Sequence, residues 1–258
     1  MDGLPIGEVV CGDVVEVLRG FPAGCFDLCV ADPPYGISAP GKVRVRGVAG
    51  GPRHASGNCV WQNTGDDYGE EDREVPDDWI AEVARVLRPG GSLQVFCAQK
   101  QWQRFRDVAE SDAVGLSVRN SWFYCKTSPP PTVRPNFCSA VECGWWFRKP
   151  GESVTWNGGA TQKNWFSGPH EMRSYASGHR IHPMQKPEWL LDEFMRLWTN
   201  PGDLVLDLFS GSATTSVCAI RAGCGFVAVE KDPAHCEKAR ARIVAAQRAH
   251  QPALFPLE

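Results

Sequence analysis

Short apolar runs alternate with helical patterns along most of this 258-residue chain. This alternation predicts a mostly parallel sheet with helices on both faces. The predicted strands are Val9–Cys11, 27–31, 92–97, 117–125, Val141–Arg148, 204–207 and 226–230. The predicted helices are Val14–Arg19, 77–87, 101–110, 187–199, 212–222 and 233–247. One α/β domain with a seven-stranded sheet suits a chain of this length.

Two long segments, 38–75 and 150–184, are rich in Gly, Ser, Asn and Trp and show no helix or strand periodicity. Unstructured runs of that length inside a compact domain are usually functional loops. We therefore expect residues 1–258 to form one domain, in which these two segments are inserted loops that contact the substrate.

The charge of the chain is distributed unevenly. The formal net charge is −3, so a uniformly basic surface for nucleic acid is excluded and any such contact must use a local basic face. Segment 41–54 carries four basic residues and no acid, and segment 148–187 carries six basic residues against two acids. Residues 66–78 reverse the sign, with eight acids against one arginine. Each basic run fits either a nucleic-acid contact or a solvated loop.

The eleven cysteines include no C-x-x-C pair and no cysteine–histidine set at zinc-finger spacing. We expect reduced thiols and no metal site, because cysteine in an apolar run behaves as a small hydrophobic residue. The sequence also has no apolar stretch of 18 residues and no signal-peptide pattern at its start. These features predict a cytoplasmic protein that does not enter the membrane.

The motif Asp32-Pro33-Pro34-Tyr35 directly follows the predicted strand 27–31, at the edge where open α/β sheets bind ligands. Two prolines make a stiff turn that offers carbonyl acceptors but lacks N–H donors. The Asp32 carboxylate and the Pro33 carbonyl can accept both N–H groups of a base amino nitrogen and so direct its lone pair. Tyr35 offers a ring for a base turned out of the helix. A plain turn is the alternative, since these residue types favour turns.

A strand, a loop of small residues and a helix follow one another in residues 204–215. Such a loop lets a ligand approach the backbone and the positive end of the helix. Glu230 ends the next strand, nineteen residues after Gly211, where doubly wound folds place an acid for ribose hydroxyls. A dinucleotide is disfavoured, because the loop has no G-x-G-x-x-G and Asp207 would repel a pyrophosphate. The Asp207 carboxylate would instead attract an amino-acid ammonium group, which S-adenosylmethionine carries.

Six motifs in this order resemble the amino-group DNA methyltransferases, in the permuted β class whose catalytic motif precedes the cofactor motif. They are Gly12-Asp13, Asp32–Tyr35, 87–91, 122–126, 182–187, and the 207–215 loop with Glu230. The resemblance implies a Rossmann-like, circularly permuted S-adenosylmethionine-dependent methyltransferase fold, with strand 226–230 beside Val9–Cys11. It further implies site-specific methyl transfer to adenine N6 in DNA, since aspartate is commoner than serine at the first motif position of adenine enzymes. Cytosine N4 is the alternative.

The resemblance also assigns roles to single residues. Asp32, Pro33, Pro34 and Tyr35 would be catalytic. Asp13 would contact the adenine side of the cofactor, Glu230 the ribose and Asp207 the methionine side, while Lys186 would help to close the pocket. The full predicted cofactor-binding set is Asp13, Lys186, Asp207, Phe209, Ser210, Gly211, Ser212, Ala213, Thr214, Glu230 and Lys231.

The cofactor loop departs from the family pattern at two positions. Leu208 stands where the family often has proline, and Ala213 stands where it usually has glycine. If the backbone at Ala213 has a positive φ, its methyl group could crowd the cofactor. Whether Ala213 weakens cofactor binding therefore depends on the backbone conformation at this position.

Double-stranded DNA is the implied substrate, contacted by the loops 38–75 and 150–184. The predicted DNA-binding residues offer a positive charge or an aromatic ring. They are Lys42, Arg44, Arg46, Arg53, Trp156, Lys163, Trp165, Arg173 and Arg180. The resemblance also allows for a homodimer and for a cognate restriction endonuclease as a partner.

Two other readings fit parts of the pattern. Enzymes that methylate RNA or a protein glutamine use related Pro-Pro-Tyr motifs, but they usually carry the cofactor motif first. A hypothesis of another class is a catalytically weak DNA-binding homologue, in which Ala213 has eroded cofactor binding. Transfer of a labelled methyl group separates these readings.

Overall fold

The computed structural model describes residues 3–36, 75–129, 137–170 and 185–250. Residues 38–74 of the first predicted loop and 171–184 of the second lie outside these ranges. The strands are β1 Val9–Cys11, β2 Phe26–Ala31, β3 Leu87–Cys97, β4 Ser117–Lys126, β5 Val141–Arg148, β6 Trp165–Gly168, β7 Leu204–Leu208 and β8 Gly225–Glu230. The helices are α1 Val14–Arg19, α2 Trp79–Val86, α3 Gln99–Ala109, α4 Glu188–Trp198, α5 Thr214–Arg221 and α6 Pro233–His250.

The strands form one sheet in the order β1-β8-β7-β2-β3-β5-β4-β6. The neighbours from β1 to β3 all pair in parallel. Strand β5 runs antiparallel to both β3 and β4, and β6 is parallel to β4. Among the described strands, therefore, β5 alone points the opposite way.

Helices cover both faces of the sheet, as the alternating pattern predicts. Along β2, Cys29 and Ala31 pack into the layer formed with α1, α2 and α3, whereas Leu28 and Val30 pack into the layer formed with α4, α5 and α6. Successive side chains of a strand point to opposite faces. The central strands are therefore apolar at nearly every position, because both of their faces are buried.

The permuted order is visible in the sheet. Strand β1 pairs with β8, with Val9 opposite Ala228 and Cys11 opposite Glu230, as expected from the resemblance. The last described helix packs beside the first strand, where Arg240 of α6 donates to the Val9 carbonyl at 2.8 Å. The fold prediction is confirmed in architecture and in permutation.

The sheet has eight strands rather than the predicted seven, because β6 lies in a segment that we assigned wholly to a loop. This edge strand spans four residues, and its alternating exposed and buried positions are too few to give a periodic signal. Strand β3 also starts earlier than predicted, at Leu87, because Leu87 already pairs with Phe26 of β2 and the Gly90–Gly91 stretch exchanges backbone hydrogen bonds with Lys149. Within the described ranges, no helix is both long enough and apolar enough to cross a membrane.

Candidate active site

The topology gathers several loops at one edge of the sheet. Strands β1, β2, β3, β7 and β8 are parallel, so their carboxyl ends meet there, and we call this the carboxyl edge. From the neighbouring strands β7 and β2 the chain departs in opposite directions, to β8 and to β3. Such a switch point opens a crevice between two loops, where doubly wound sheets bind ligands. The two predicted motifs occupy these two loops.

Asp32 directly follows β2 and begins the Pro-Pro turn at the carboxyl edge. The Tyr35 hydroxyl donates to Asp32 Oδ1 at 2.9 Å, which orients the carboxylate. Gln101, buried at the start of α3, donates from Nε2 to the Pro34 carbonyl at 3.0 Å and accepts from the Ala98 N–H through Oε1. The turn is thus held by a hydrogen bond within it, from Tyr35 to Asp32, and by a hydrogen bond to it from Gln101 of α3. The Asp32 side chain keeps 24% of its surface exposed, enough to receive a substrate.

The Lys186 ammonium lies at the catalytic motif. Its Nζ is 2.7 Å from Asp32 Oδ2 and 3.3 Å from the Tyr35 hydroxyl oxygen. It also lies over two rings, 4.7 Å from the Phe96 ring centroid and 5.3 Å from that of Tyr35. The sequence predicts this lysine at the cofactor pocket, whereas in the structure its ammonium contacts Asp32 and Tyr35 of the Pro-Pro turn. A contact with the cofactor stays a prediction.

Two charged side chains that sequence reasoning missed complete the cluster. Glu142 is near the start of β5, and because β5 is antiparallel its start lies at the carboxyl edge. Glu142 Oε2 is 3.1 Å from Lys186 Nζ, and Oε1 is 2.7 Å from Nζ of Lys126, the last residue of β4. The end of a predicted strand indicates that a side chain lies at an edge of the sheet, but not which side chains it contacts there. The sequence therefore offers only one signal for Glu142 and Lys126, which is a charged residue at the boundary of an apolar strand.

Burial and ion pairing act in opposite directions in this cluster. Burial raises the pKa of Asp32, and the Lys186 ammonium opposes that rise. Burial would lower the pKa of Lys186, but Asp32 and Glu142 outweigh it and raise the value. Burial would raise the pKa of Glu142, but Lys186 and Lys126 hold it at about 2. Burial also raises the pKa of the Tyr35 phenol, which keeps its proton and remains a donor to Asp32.

The loop after β7 has a different chemistry. Asp207 is 3% exposed, and its Oδ2 accepts from the Ser216 N–H at 3.0 Å and from the Ser216 hydroxyl at 2.6 Å. Burial raises the pKa of Asp207 to about 7. Asp207 therefore ties the strand end to the first turn of α5, beneath the loop rather than on its surface.

Glu230 joins this loop to the next strand. Its Oε2 accepts from the Gly211 N–H at 2.7 Å, and its Oε1 accepts from the Asp232 N–H at 2.9 Å. The residue is only partly buried, and each carboxylate oxygen has a second acceptor position. Ribose hydroxyls can therefore bind there without breaking the loop contact.

The comparison with family models decides the assignment. The model of the DNA methylase family of N6 and N4 methyltransferases matches residues 26–241. The chain belongs to this family. It is a DNA methyltransferase that uses S-adenosylmethionine.

Individual relatives extend the match. The Type II methyltransferase M2.DpnII of Streptococcus pneumoniae is 27% identical over 254 residues, covering 92% of this chain and 89% of that protein. Two solved structures share the fold at 20% sequence identity. The M1.HpyAVI–SAM complex has a TM-score of 0.64, and the match covers 91% of this chain and 98% of that one. The cytosine-N4-specific PvuII DNA methyltransferase has a TM-score of 0.63, and the match covers 94% of this chain and 91% of that one.

The departure of this DNA methylase at Ala213 now has a structural reading. Ala213 has φ +57°, the conformation that glycine adopts freely and alanine adopts with strain. Its methyl group is fully buried in the layer of α4, α5 and α6. The positive φ that we considered is therefore present, but the methyl group packs into the core. Phe209 also has a positive φ, +60°, and packs edge-on against Trp79 at 5.5 Å.

The remaining predicted cofactor residues line the same edge. Asp13 caps α1 by accepting from the Val15 N–H at 3.0 Å, and Lys231 Nζ is 3.6 Å from its Oδ2. Ser212 and Thr214 share a hydroxyl contact of 3.1 Å within the loop, and Ser210 is buried beside them. The fold thus brings together residues after β1, β7 and β8, as the family pattern predicts. Among the described residues, no group of three or more His, Cys, Asp or Glu could hold a metal ion.

Six of the predicted DNA-binding residues lie outside the described ranges: Lys42, Arg44, Arg46, Arg53, Arg173 and Arg180. Of the other three, Trp156 is stacked on Trp146 at 4.9 Å and packs against Trp198, near the end of α4 and away from the carboxyl edge. Trp165 begins β6, is 45% exposed and carries the Lys163 ammonium 4.9 Å from its ring. These placements indicate packing for Trp156 and an exposed cationic surface for Lys163 and Trp165.

Proposed function

We propose that this DNA methyltransferase transfers a methyl group to adenine N6, with Asp32 as the catalytic acceptor. The observation that carries the proposal is the Asp32 carboxylate, half-buried in a stiff turn at the switch point of the sheet, with Tyr35 and Lys186 fixing its two oxygens. The aspartate at the first motif position supports adenine over cytosine.

The chemistry requires acceptors that face one amino nitrogen. The nitrogen lone pair of a base is delocalised into its ring, so each N–H must be held to direct the lone pair out of the ring plane. Asp32 holds one N–H, and the Pro33 carbonyl is the second acceptor in the same turn. When the nitrogen gains a methyl group it must lose a proton, and Asp32 is the adjacent base. Tyr35 orients Asp32 through its hydroxyl and offers its ring for stacking the base.

The cofactor supplies an electrophilic methyl group when it is bound. The residues at the carboxyl edge fit it, because Glu230 is only partly buried and keeps acceptor positions beside the Gly211 N–H, where the loop leads into α5. Asp13 and Lys231 would lie on the adenine side. The contact we expected between Asp207 and the methionine ammonium stays a prediction, because the Asp207 carboxylate is buried beneath the loop and accepts from Ser216.

Labelled methyl transfer tests this function. The protein is incubated with tritiated-methyl S-adenosylmethionine and unmethylated genomic DNA, and the DNA is digested to nucleosides for chromatography. We expect label in N6-methyladenosine, and Asp32→Ala should lower the rate by at least about a thousandfold while DNA binding changes little. The matched control is Asp203→Ala, which removes a carboxylate before β7, at the opposite edge, where it accepts from the Asn200 N–H at 2.8 Å.

Each outcome is decisive for one part of the proposal. Label in N4-methylcytosine would keep the mechanism and overturn the base. Unchanged transfer by Asp32→Ala would remove the catalytic role of Asp32. Absence of both transfer and cofactor binding would favour the catalytically weak DNA-binding homologue. A homodimer, a cognate restriction endonuclease and a cytoplasmic location stay predictions.

A further inference from the structure

Four charged side chains form an alternating row from the catalytic turn to the far strands of the sheet. The row runs Asp32, Lys186, Glu142, Lys126, with successive nitrogen–oxygen distances of 2.7, 3.1 and 2.7 Å. The two inner members and Lys126 expose at most 16% of their side chains, and Asp32 exposes 24%. The proposed function uses the first two members only. Glu142 and Lys126 therefore need an explanation of their own.

Each member is needed to keep its neighbour charged. A buried charge without a partner loses several kcal/mol of solvation and tends to neutralise by changing its protonation state. If Asp32 were the sole carboxylate beside Lys186, the two would form an isolated ion pair, and the Asp32 carboxylate would be a weaker acceptor for a substrate N–H. Glu142 competes for the same ammonium, and Lys126 offsets the charge that Glu142 brings.

We propose that Glu142 is a positioning residue of the methylation reaction, holding the Lys186 ammonium between two carboxylates so that Lys186 stays charged without being committed to Asp32 alone, and Asp32 remains available to the substrate amino group. Lys126 balances Glu142 from β4. The inference rests on the catalytic role proposed for Asp32. It adds two residues on strands that neither the Pro-Pro turn nor the cofactor loop includes.

The geometry explains why these strands can contribute. Strand β5 starts and strand β4 ends at the carboxyl edge. Glu142 is opposite Tyr124 in the register, two residues before Lys126, so Glu142 and Lys126 are diagonal neighbours beside the site. The other groups that contact the Lys186 ammonium are the Tyr35 hydroxyl and the rings of Tyr35 and Phe96. Strand β3 ends at Cys97, and β5 carries Cys143 next to Glu142. The two thiols engage each other's strand carbonyls, at 3.8 and 3.3 Å. Asp32 and Glu142 are thus the two carboxylates within ion-pair distance of Lys186 among the described residues.

Opposite substitutions in the row should move the pH profile in opposite directions. Glu142→Gln removes a negative charge, so the acid limb of kcat/KM, set by Asp32, should move to lower pH, and the alkaline limb set by Lys186 should move the same way. Lys126→Gln removes a positive charge and should move the acid limb to higher pH. The double variant restores the charge balance and should return the acid limb towards its original position.

The experiment measures labelled methyl transfer from pH 5 to 10 on the full chain, with cofactor affinity measured separately. We expect Glu142→Gln to lower kcat/KM at least about tenfold at neutral pH, with cofactor affinity changed less than about threefold. The control is Glu110→Gln, which removes the carboxylate of an exposed pair with Arg106 and should leave both limbs in place.

The outcomes separate the inference from the function on which it rests. Acid limbs that stay in place in both single variants, or that move in the same direction in Glu142→Gln as in Lys126→Gln, would overturn the positioning role while leaving Asp32 catalytic. If a single variant does not fold, the charge-balanced double variant decides: its acid limb must coincide with that of the unchanged protein. Full activity of Asp32→Ala would instead remove the proposed function itself.

Discussion

Two aspartates lie side by side at the carboxyl edge and have opposite environments. Asp207 is in β7 and pairs in register with Val30 of β2, and Asp32 follows β2 two residues later. Asp32 contacts a lysine ammonium and a phenol and remains partly exposed. Asp207 is 3% exposed, and its Oδ2 accepts two hydrogen bonds from Ser216.

The difference in partners separates the two roles. A carboxylate beside a cation at an open edge can accept a substrate N–H, because its charge is stabilised and its surface is accessible. A carboxylate buried against neutral donors stabilises a loop but loses its charge easily, and the pKa of Asp207 is accordingly raised to about 7. We therefore expect the same residue type to serve as the reactive acceptor after β2 and as a structural anchor in β7.

Replacing the cation should make Asp32 resemble Asp207, and we expect the largest effect here. Lys186→Met leaves Asp32 and Glu142 facing each other without their shared ammonium, at a cost of about 4 kcal/mol in the free energy of unfolding. The pKa of Asp32 should rise further, so the acid limb of kcat/KM should move to higher pH and the rate at neutral pH should fall about a hundredfold. Denaturant unfolding and pH-dependent methyl transfer measure the two effects.

Lys149→Met is the matched control for this change. Lys149 donates to the carbonyls of Arg85 and Leu87, at 3.2 and 2.8 Å, near the opposite end of β5. Its loss should reduce stability without moving the pH profile. An acid limb that Lys186→Met leaves in place would show that the ammonium does not govern the ionisation of Asp32.

Neutralising the other aspartate should stabilise the protein in a pH-dependent way. The folded protein holds the Asp207 proton more tightly than the unfolded chain, so this group's contribution is fully present below about pH 4 and is lost as the pH rises through about 7. Asp207→Asn has no proton to lose. Its stability relative to the unchanged protein should therefore rise by at least about 2 kcal/mol between pH 4 and 8, since each unit by which folding raises a pKa corresponds to about 1.4 kcal/mol.

Unfolding of both proteins in denaturant at several pH values measures this difference. Ser216→Ala provides the control, because it removes the hydroxyl contact but leaves the carboxyl group to titrate. A stability difference that is constant from pH 4 to 8 would mean that Asp207 remains ionised throughout this range.

The sequence predicted the central strands and both motifs because their signals are local. The β2 and β7 runs are apolar at nearly every position, and such strands precede ligand-binding turns in doubly wound sheets. The charge row was not predictable, because it depends on which distant strands become neighbours. Glu142 and Lys126 are separated from Asp32 by about a hundred residues and reach it only through the β3–β5–β4 pairing.

Two other differences have the same origin. Trp156 has the composition of a base-stacking residue, yet it packs against Trp146 because the start of its loop folds back onto the sheet. Gln101 lies in the first turn of a helix, where polar residues are common, so the sequence does not single it out. Its contact with the Pro34 carbonyl depends on β2 and β3 lying side by side. Local pattern therefore predicts elements and motifs, whereas tertiary neighbours decide which polar side chains complete the site.

The smallest expected effect concerns the strain in the loop above Asp207. Ala213→Gly should relieve roughly 1 kcal/mol of left-handed backbone strain. It should also cost a similar amount, because the buried methyl group is lost and the unfolded chain gains conformational freedom. The free energy of unfolding should therefore change by less than about 0.5 kcal/mol. Ala219→Gly in α5 removes an equally buried methyl group from an ordinary helical position and should cost about 2 kcal/mol. Thermal unfolding compares the two variants, and calorimetry should show cofactor affinity within about threefold of the unchanged protein for Ala213→Gly. Equal destabilisation by both would mean that Ala213 carries no strain, whereas a large gain in affinity would mean that its methyl group, although buried, still limits the cofactor pocket.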